Sequence, residues 1–385
     1  MFTTQFFAAY PLRIIPLLGA AVATDLAIAP SSVGYFASLA SLGTLAGIVL
    51  APFLVRSIGV LRTLQGCLLA SAIGAVAFLF PYLAAVCLAS LLVGLADGPA
   101  GFAASRELHR TAPPRARRLL FAISSMGGSF GSLTSAILVA FVVALTDWRT
   151  AILVTVLLTA LATVPLRLLA GAPHGGAHDV TSHPTEGYAR AMALMAGDAG
   201  LRRLVIGATL LAMSQGAWLT FFVAYVVDTL ELSLPRAAAL LAVTQALALG
   251  SRLAFSRWAD HMGSARPVFV LICMFAMVSW LGLASLERGD SFTLLHVVVA
   301  TSGISIAAWN GLTGAELASR VPDSALVAVN GVTAISMTVG YAIAVAGLAW
   351  LAQHMSGYAV PFLIIAAALA LNALNFALLP RSSDS

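Results

Sequence analysis

Twelve apolar stretches of about 20 residues follow one another along the chain, the length at which a helix rising about 1.5 Å per residue crosses the roughly 30 Å hydrocarbon core of a bilayer. Charges, prolines and glycines delimit them. In order they run Thr3 to Ala23, Val33 to Val55, Thr63 to Phe80, Leu83 to Ser105, Leu119 to Leu145, Thr150 to Leu169, Leu204 to Val227, Ala237 to Phe255, Pro267 to Leu286, Phe292 to Ala318, Ser324 to Gln353 and Val360 to Leu379. In lipid each backbone amide must be satisfied inside its own segment, so the runs are predicted as helices of an all-α integral membrane protein. Composition closes the alternatives. Only 9% of the 385 residues are charged and 60% are apolar, with a mean hydropathy of +0.98. A soluble globular enzyme carries about 25% charged residues, and a disordered chain needs low hydrophobicity; both classes are excluded.

All 20 basic residues are arginine, which removes Schiff-base lysine chemistry and any phosphate-binding P-loop lysine. The arginines fall between apolar runs instead of forming one basic face, so nucleic acid is not an expected partner. Their placement sets an orientation, because cytoplasmic loops accumulate arginine. With the N-terminus inside, sixteen arginines border cytoplasmic loops and ends, Arg252 among them, and the outer loops take only Arg149, Arg236 and Arg288. The expectation is a bacterial inner-membrane protein with both termini cytoplasmic. The first run lacks the basic start of a signal peptide and reads as a span. Arg13 belongs to neither side. Cys67, Cys87 and Cys273 lie inside apolar runs without ligand spacing and read as packing residues.

The stretch 170–203 is rich in Gly, Pro and His, and it divides six runs from six. It reads as a cytoplasmic linker between an N-terminal bundle (1–169) and a C-terminal bundle (204–385), with a short surface helix over Gly187 to Leu201. His174, His178 and His183 match no zinc pattern, and no cofactor or metal is expected.

An internal repeat joins the halves. Arg56, Gly59 and Arg62 between the second and third runs echo Asp260, Gly263 and Arg266 between the eighth and ninth, 204 residues later. A weaker echo sets Leu108 to Pro113 beside Leu317 to Pro322. Glycine in such a turn permits close helix passage, and arginine can donate to open carbonyls at a helix C-terminus. The six residues are candidates for a gating latch; a plain positive-inside turn is the alternative.

These turns resemble the signature loop of the major facilitator superfamily. Asp260, Gly263 and Arg266 match the second copy well, whereas Arg56 stands at the usual acidic position of the first. Asp147-Trp148-Arg149 is similar to the family's Gly-Trp-Arg loop, and Gly127-Gly128-Ser129-Phe130-Gly131 to part of the antiporter glycine pattern, for which close helix packing is the simpler reading. Gly98-Pro99, Ser105, Pro113-Pro114, Arg118, Ser124 and Trp309-Asn310-Gly311 resemble a bacterial subgroup loosely similar to cyanate permease-like carriers. The resemblance covers essentially the whole chain. It implies twelve helices in two pseudo-symmetric six-helix bundles, with spans one, four, seven and ten lining a central cavity.

Charges inside a span are expensive and mark function by default. Arg13 lies about 15 Å into the first run, between Pro11 and Pro16; if the span instead begins near Leu12, the side chain reaches the interface. Asp97 sits at comparable depth in the fourth run, so the resemblance implies that the two charges face one another. Gln215, Trp218, Trp309 and Asn310 fall well inside spans seven and ten, where amides orient and indoles stack on a small ligand; helix packing is the alternative. Glu316 reads as a gate or interface residue.

The expected function is secondary transport of a small organic solute by alternating access. Arg13 favours an anion and Asp97 a proton-coupled symport; lipid, substrate and protons are the partners. Efflux of apolar compounds, with Trp218, Phe221, Phe222 and Trp309 as the binding wall, is the alternative within transport. A transport-inactive scaffold or sensor is the alternative outside it. No nucleophile with a base is present to suggest an enzyme.

Overall fold

The computed structural model describes residues 2–80, 82–111, 117–164, 184–289, 292–355 and 357–380. Every regular element among them is helical: α1 (Phe2–Asp25), a 3₁₀ turn (Pro30–Ser32), α2 (Val33–Ile58), α3 (Val60–Ala77), α4 (Leu83–Thr111), α5 (Arg117–Leu145), α6 (Trp148–Leu161), α7 (Pro184–Gly197), α8 (Ala199–Asp228), α9 (Leu234–Met262), α10 (Arg266–Ser285), α11 (Phe292–Ser305), α12 (Trp309–Arg320), α13 (Asp323–His354) and α14 (Ala359–Ala377). Eleven segments are long and apolar enough to cross a membrane, with Phe292–Arg320 taken as one, and the sixth run is an apolar helix of 14 residues over Trp148–Leu161. Residues 170–183 of the predicted linker, with its three histidines, lie outside the described residues. Of the rest, 184–197 form α7, which packs against α13, and 199–203 open α8. The chain sorts into two compact units, Met1–His178 with Leu219–Ala242, and Asp179–Trp218 with Val243–Ser385.

Two corrections concern the apolar runs. The eighth extends beyond Phe255 to Met262, which places Arg252 ten residues inside α9 and not at a loop. The tenth is not continuous, because the helix stops at Ser305 and restarts at Trp309.

In the first unit α2 and α4 cross with backbone against backbone. A Cβ on Gly94 would run into the Ala40 carbonyl, and one on Gly98 into that of Thr44; Gly43 and Gly47 present the same bare face to Leu91 and Leu95. Small residues four apart permit this approach in a membrane, where van der Waals packing holds helices together. The second unit repeats the contact. A Cβ on Gly303 would lie 3.0 Å from the Thr244 carbonyl oxygen, and Thr244 stands 204 residues after Ala40, the offset of the latch turns. Gly94→Val should therefore force backbones apart and destabilise at the upper end of the roughly 1–3 kcal/mol seen for overpacking. Thermal unfolding in detergent measures it, and an unshifted midpoint would mean that the crossing is loose.

Both latch turns hold their glycine at a positive φ. Gly59 has φ +85° and Gly263 φ +62°, the left-handed region that disfavours a Cβ. The reason for glycine differs from the sequence reading: nothing lies within 4 Å of a Cβ at either position, so conformation and not close helix passage selects it. Alanine at Gly59 or Gly263 is expected to cost about 1 kcal/mol or more of backbone strain, as read by the same melting experiment; at Gly59, whose ψ is 163°, asparagine gives no relief, because that region is essentially reserved for glycine.

At the opposite end of the first unit, Asp147 caps α6. Its carboxylate accepts from the Thr150 hydroxyl and the Thr150 amide, both at 2.7 Å. These bonds hold its carboxyl below the usual range. Such a group stabilises the fold above the ordinary carboxylate pKa of about 3.9 and loses that contribution as pH falls through its lowered value. Asp147→Ala should lower the melting temperature at neutral pH, with the difference closing in acid; a gap that persists would remove the cap from the explanation. Beside it Arg149 donates to Asp25 at 2.5 Å and lies 4.4 Å from the centroid of the Trp148 ring, which ties the start of α6 to the end of α1.

Candidate functional site: intramembrane charges and a broken helix

Arg13 stands in the middle of α1, eleven residues from Phe2 and twelve from Asp25. Pro11 and Pro16 flank it; each withholds one amide from the helix ladder. The helix begins ten residues ahead of Leu12, so Arg13 does not sit at a helix end. α5 packs closely on α1, with Gly127 opposite the Phe2 carbonyl and Gly131 opposite that of Phe6, which is the packing role expected of the glycine-rich run. This approach brings Ser132 under the arginine: Arg13 Nε donates to Ser132 Oγ at 3.2 Å, and Ser132 Oγ donates to the Gly128 carbonyl at 3.1 Å.

Asp97 is the central residue of α4, fourteen from each end, and immediately precedes Gly98 of the glycine crossing. Its carboxyl lies within electrostatic reach of the Arg13 guanidinium and of Cys67 on α3. Both charged residues are partly buried. The first unit therefore holds a cation and an acid at matching depth on neighbouring helices, with the cation oriented by a serine on a third.

In the second unit the break in the tenth span is the organising feature. Ser302 Oγ and Ser305 Oγ bond back to the Val299 and Thr301 carbonyls at 2.9 Å each, a pattern that bends helices, and Ile306 N to Ser302 O at 2.7 Å is the last bond before the interruption. A buried carbonyl left bare costs about 1–3 kcal/mol. Side chains cover them here. Trp309 Nε1 donates to Ile306 O at 3.0 Å, Asn310 Nδ2 to Ala307 O at 3.1 Å, and Arg252 from α9 to Ala307 O at 3.3 Å. Asn310 Nδ2 also donates to Gln215 Oε1 on α8 at 3.2 Å. Of the four predicted cavity residues, Gln215 and Asn310 are thus joined and remain partly exposed, whereas Trp218 and Trp309 are buried at 0% and 2% exposure. Trp218 meets Trp280 edge-on at 5.4 Å. Phe221 and Phe222, the other residues of the expected aromatic wall, fall in the first unit and are buried too.

Glu316 accepts two bonds from Arg320, at 2.9 and 2.6 Å, and Arg320, whose side chain is 1% exposed, donates also to the Pro380 carbonyl. This pairing fits the interface reading of Glu316. Its removal strands a buried guanidinium, so Glu316→Ala should destabilise by about 2 kcal/mol, less than a fully buried pair because Glu316 is partly exposed. The latch charges Arg56, Arg62, Asp260 and Arg266 are exposed on their turns.

Sequence reasoning missed three members of these clusters. Ser132 carries no signal inside a glycine- and serine-rich run. Arg252 was hidden by its nearness to the end of an apolar run. The break falls on Ile306, Ala307 and Ala308, which look like ordinary helix; only the Ser302 and Ser305 pair hinted at it.

The sequence model described as Major Facilitator Superfamily matches residues 1–345. The chain belongs to the major facilitator superfamily. An uncharacterised MFS-type transporter of Mycobacterium tuberculosis (strain CDC 1551 / Oshkosh) is 30% identical over 122 residues, 31% of this chain and 27% of that protein. The alignment thus spans about a quarter of that relative's length. Among solved structures, the chain is similar to the nucleoside transporter NupG (TM-score 0.78, 14% identity, 98% of each chain). It is similar also to a D-xylose-proton symporter (TM-score 0.76, 14% identity, 100% of this chain and 97% of that one). A bacterial homologue of the human lysosomal transporter Spinster gives a TM-score of 0.79 at 14% identity, covering 99% of this chain and 96% of that one. At this identity the likeness concerns the fold. Membership of the superfamily makes the chain a multi-pass membrane protein of the secondary-transporter class.

Proposed function

We propose that this superfamily member carries a small organic anion together with a proton, by alternating access, across a bacterial inner membrane with both termini cytoplasmic. The observation that supports this most is Arg13 at the centre of α1, an intramembrane guanidinium held by a neutral serine. A permanently charged group is retained at such depth when it has an anion to meet. Asp97, within its electrostatic reach, is proposed as the proton-coupling residue: ionised it holds Arg13, and protonated it frees Arg13 for the substrate. Gln215 and Asn310 are proposed as amide contacts for substrate in the second unit, and the Gly59 and Gly263 turns with their charges as gating elements. Proton coupling has a counterpart in the D-xylose-proton symporter of the same fold.

A thermal-shift screen of purified protein tests the substrate class, because a ligand that binds the folded form raises its melting temperature. Small carboxylates are expected to stabilise and lipophilic drugs to leave the midpoint unchanged. The reverse pattern would favour efflux of apolar compounds. For orientation, a reporter inserted within 170–203 is expected to read as cytoplasmic, and a periplasmic signal overturns the topology.

A further inference from the structure

We infer that Arg252 is a second anion-binding residue, which receives a carboxylate or similar oxyanion beside the broken tenth span. The inference rests on the reading of the chain as an anion transporter and adds a site to it. Arg252 lies ten residues, or about 15 Å, from the Met262 end of α9. Its stem runs along α12 beside Gly311, where a Cβ would make ordinary contact with Arg252 Cγ at 3.8 Å and Ser256 Oγ at 3.6 Å. One terminal nitrogen reaches the Ala307 carbonyl at the break, while Nε is buried and has no hydrogen-bond partner among the described residues.

The charges on the elements packed around it do not neutralise it. Glu316 on α12 is bonded to Arg320, and Asp260 on α9 lies eight residues away and is exposed. A guanidinium offers five N–H donors in a planar fork, and a neutral carbonyl occupies one of them. Taking such a group out of water without a carboxylate is costly unless an anion completes it. The adjoining groups suit a carboxylate: Asn310 shares the Ala307 carbonyl with Arg252 and joins Gln215, so amide groups stand beside the cation. A helix cap alone needs neither the charge nor the planar fork, since an amide side chain caps a carbonyl equally well.

That difference supplies the test. Arg252→Gln keeps a donor for Ala307 O and removes the charge. Thermal-shift titrations of wild type, Arg252→Gln and Arg252→Lys are made in detergent with acetate, lactate, succinate and sulfate as probes. Wild type is expected to be stabilised by at least one carboxylate. Arg252→Gln should keep the ligand-free melting temperature but bind that carboxylate at least tenfold more weakly, and Arg252→Lys should recover part of the loss. If wild type and Arg252→Gln respond alike, Arg252 is a helix cap and this inference fails while the anion-transport reading stands. If wild type answers to sulfate alone, the site is one for inorganic oxyanions and the organic substrate class fails instead. No response of wild type to any anion overturns both. Should Arg252→Gln not fold, phenylglyoxal labelling of Arg252 in wild type followed by mass spectrometry decides: the probe should protect it, and undiminished labelling at saturating probe overturns the inference.

Discussion

Arg13→Ala is expected to lose carboxylate binding by about 100-fold or more while the protein still folds. A charge-assisted hydrogen bond contributes about 1.5–3 kcal/mol, and a bidentate guanidinium makes two, so even the lower figure for each gives two decades in affinity. Folding is expected to survive because Ser132, which accepts from Arg13 Nε, keeps its bond to the Gly128 carbonyl, and Asp97 without the cation can take up a proton instead of staying a buried unpaired charge. Arg13→Lys should recover little, since an ammonium cannot reproduce the planar fork. Ser132→Ala separates charge from orientation: the cation stays but its Nε support goes, and a loss of roughly tenfold is expected. Calorimetric titration of the stabilising carboxylate measures all three. Wild-type affinity in Arg13→Ala would transfer the anion site elsewhere, with Arg252 the first place to look.

The second large effect concerns coupling. Asp97→Asn should still bind substrate and exchange it across the membrane, yet lose accumulation driven by a pH gradient. Asparagine keeps the shape of the side chain beside the Gly98 crossing but cannot take up or release the proton. One pH unit corresponds to about 1.36 kcal/mol, or tenfold, so a one-to-one symporter sustains up to about tenfold accumulation per unit and the variant about onefold. Counterflow with labelled substrate distinguishes the two activities. Asp97→Asn that accumulates normally would make the Arg13 and Asp97 pair a structural neutralisation.

The span pattern was legible because bilayer thickness fixes helix length, and the repeat because its turns hold Gly59 and Gly263 at a positive φ. Arg13 and Asp97 stood out as charges in apolar surroundings. Arg252 did not, because helices of this chain run past the apolar stretch that marks them, and hydropathy cannot tell a terminal arginine from one that points inward. The gap between α11 and α12 was invisible for a related reason: the Ala307 carbonyl within it is covered by Arg252 from another helix and by Asn310 three residues on, while the residues within it favour helix. Trp218 and Trp309 show where the sequence leaves two readings open. An indole within a span is equally suited to a ligand wall and to packing, and both indoles are buried in the folded chain.

The most direct test is uptake by purified protein in sealed proteoliposomes, with a carboxylate found to stabilise it supplied outside in labelled form and the interior made alkaline. Coupled entry of anion and proton predicts accumulation above the external concentration, collapse on addition of a protonophore, and no accumulation in Arg13→Ala or Asp97→Asn. Equilibration that ignores the pH gradient, or extrusion of a lipophilic dye without movement of the carboxylate, would contradict it.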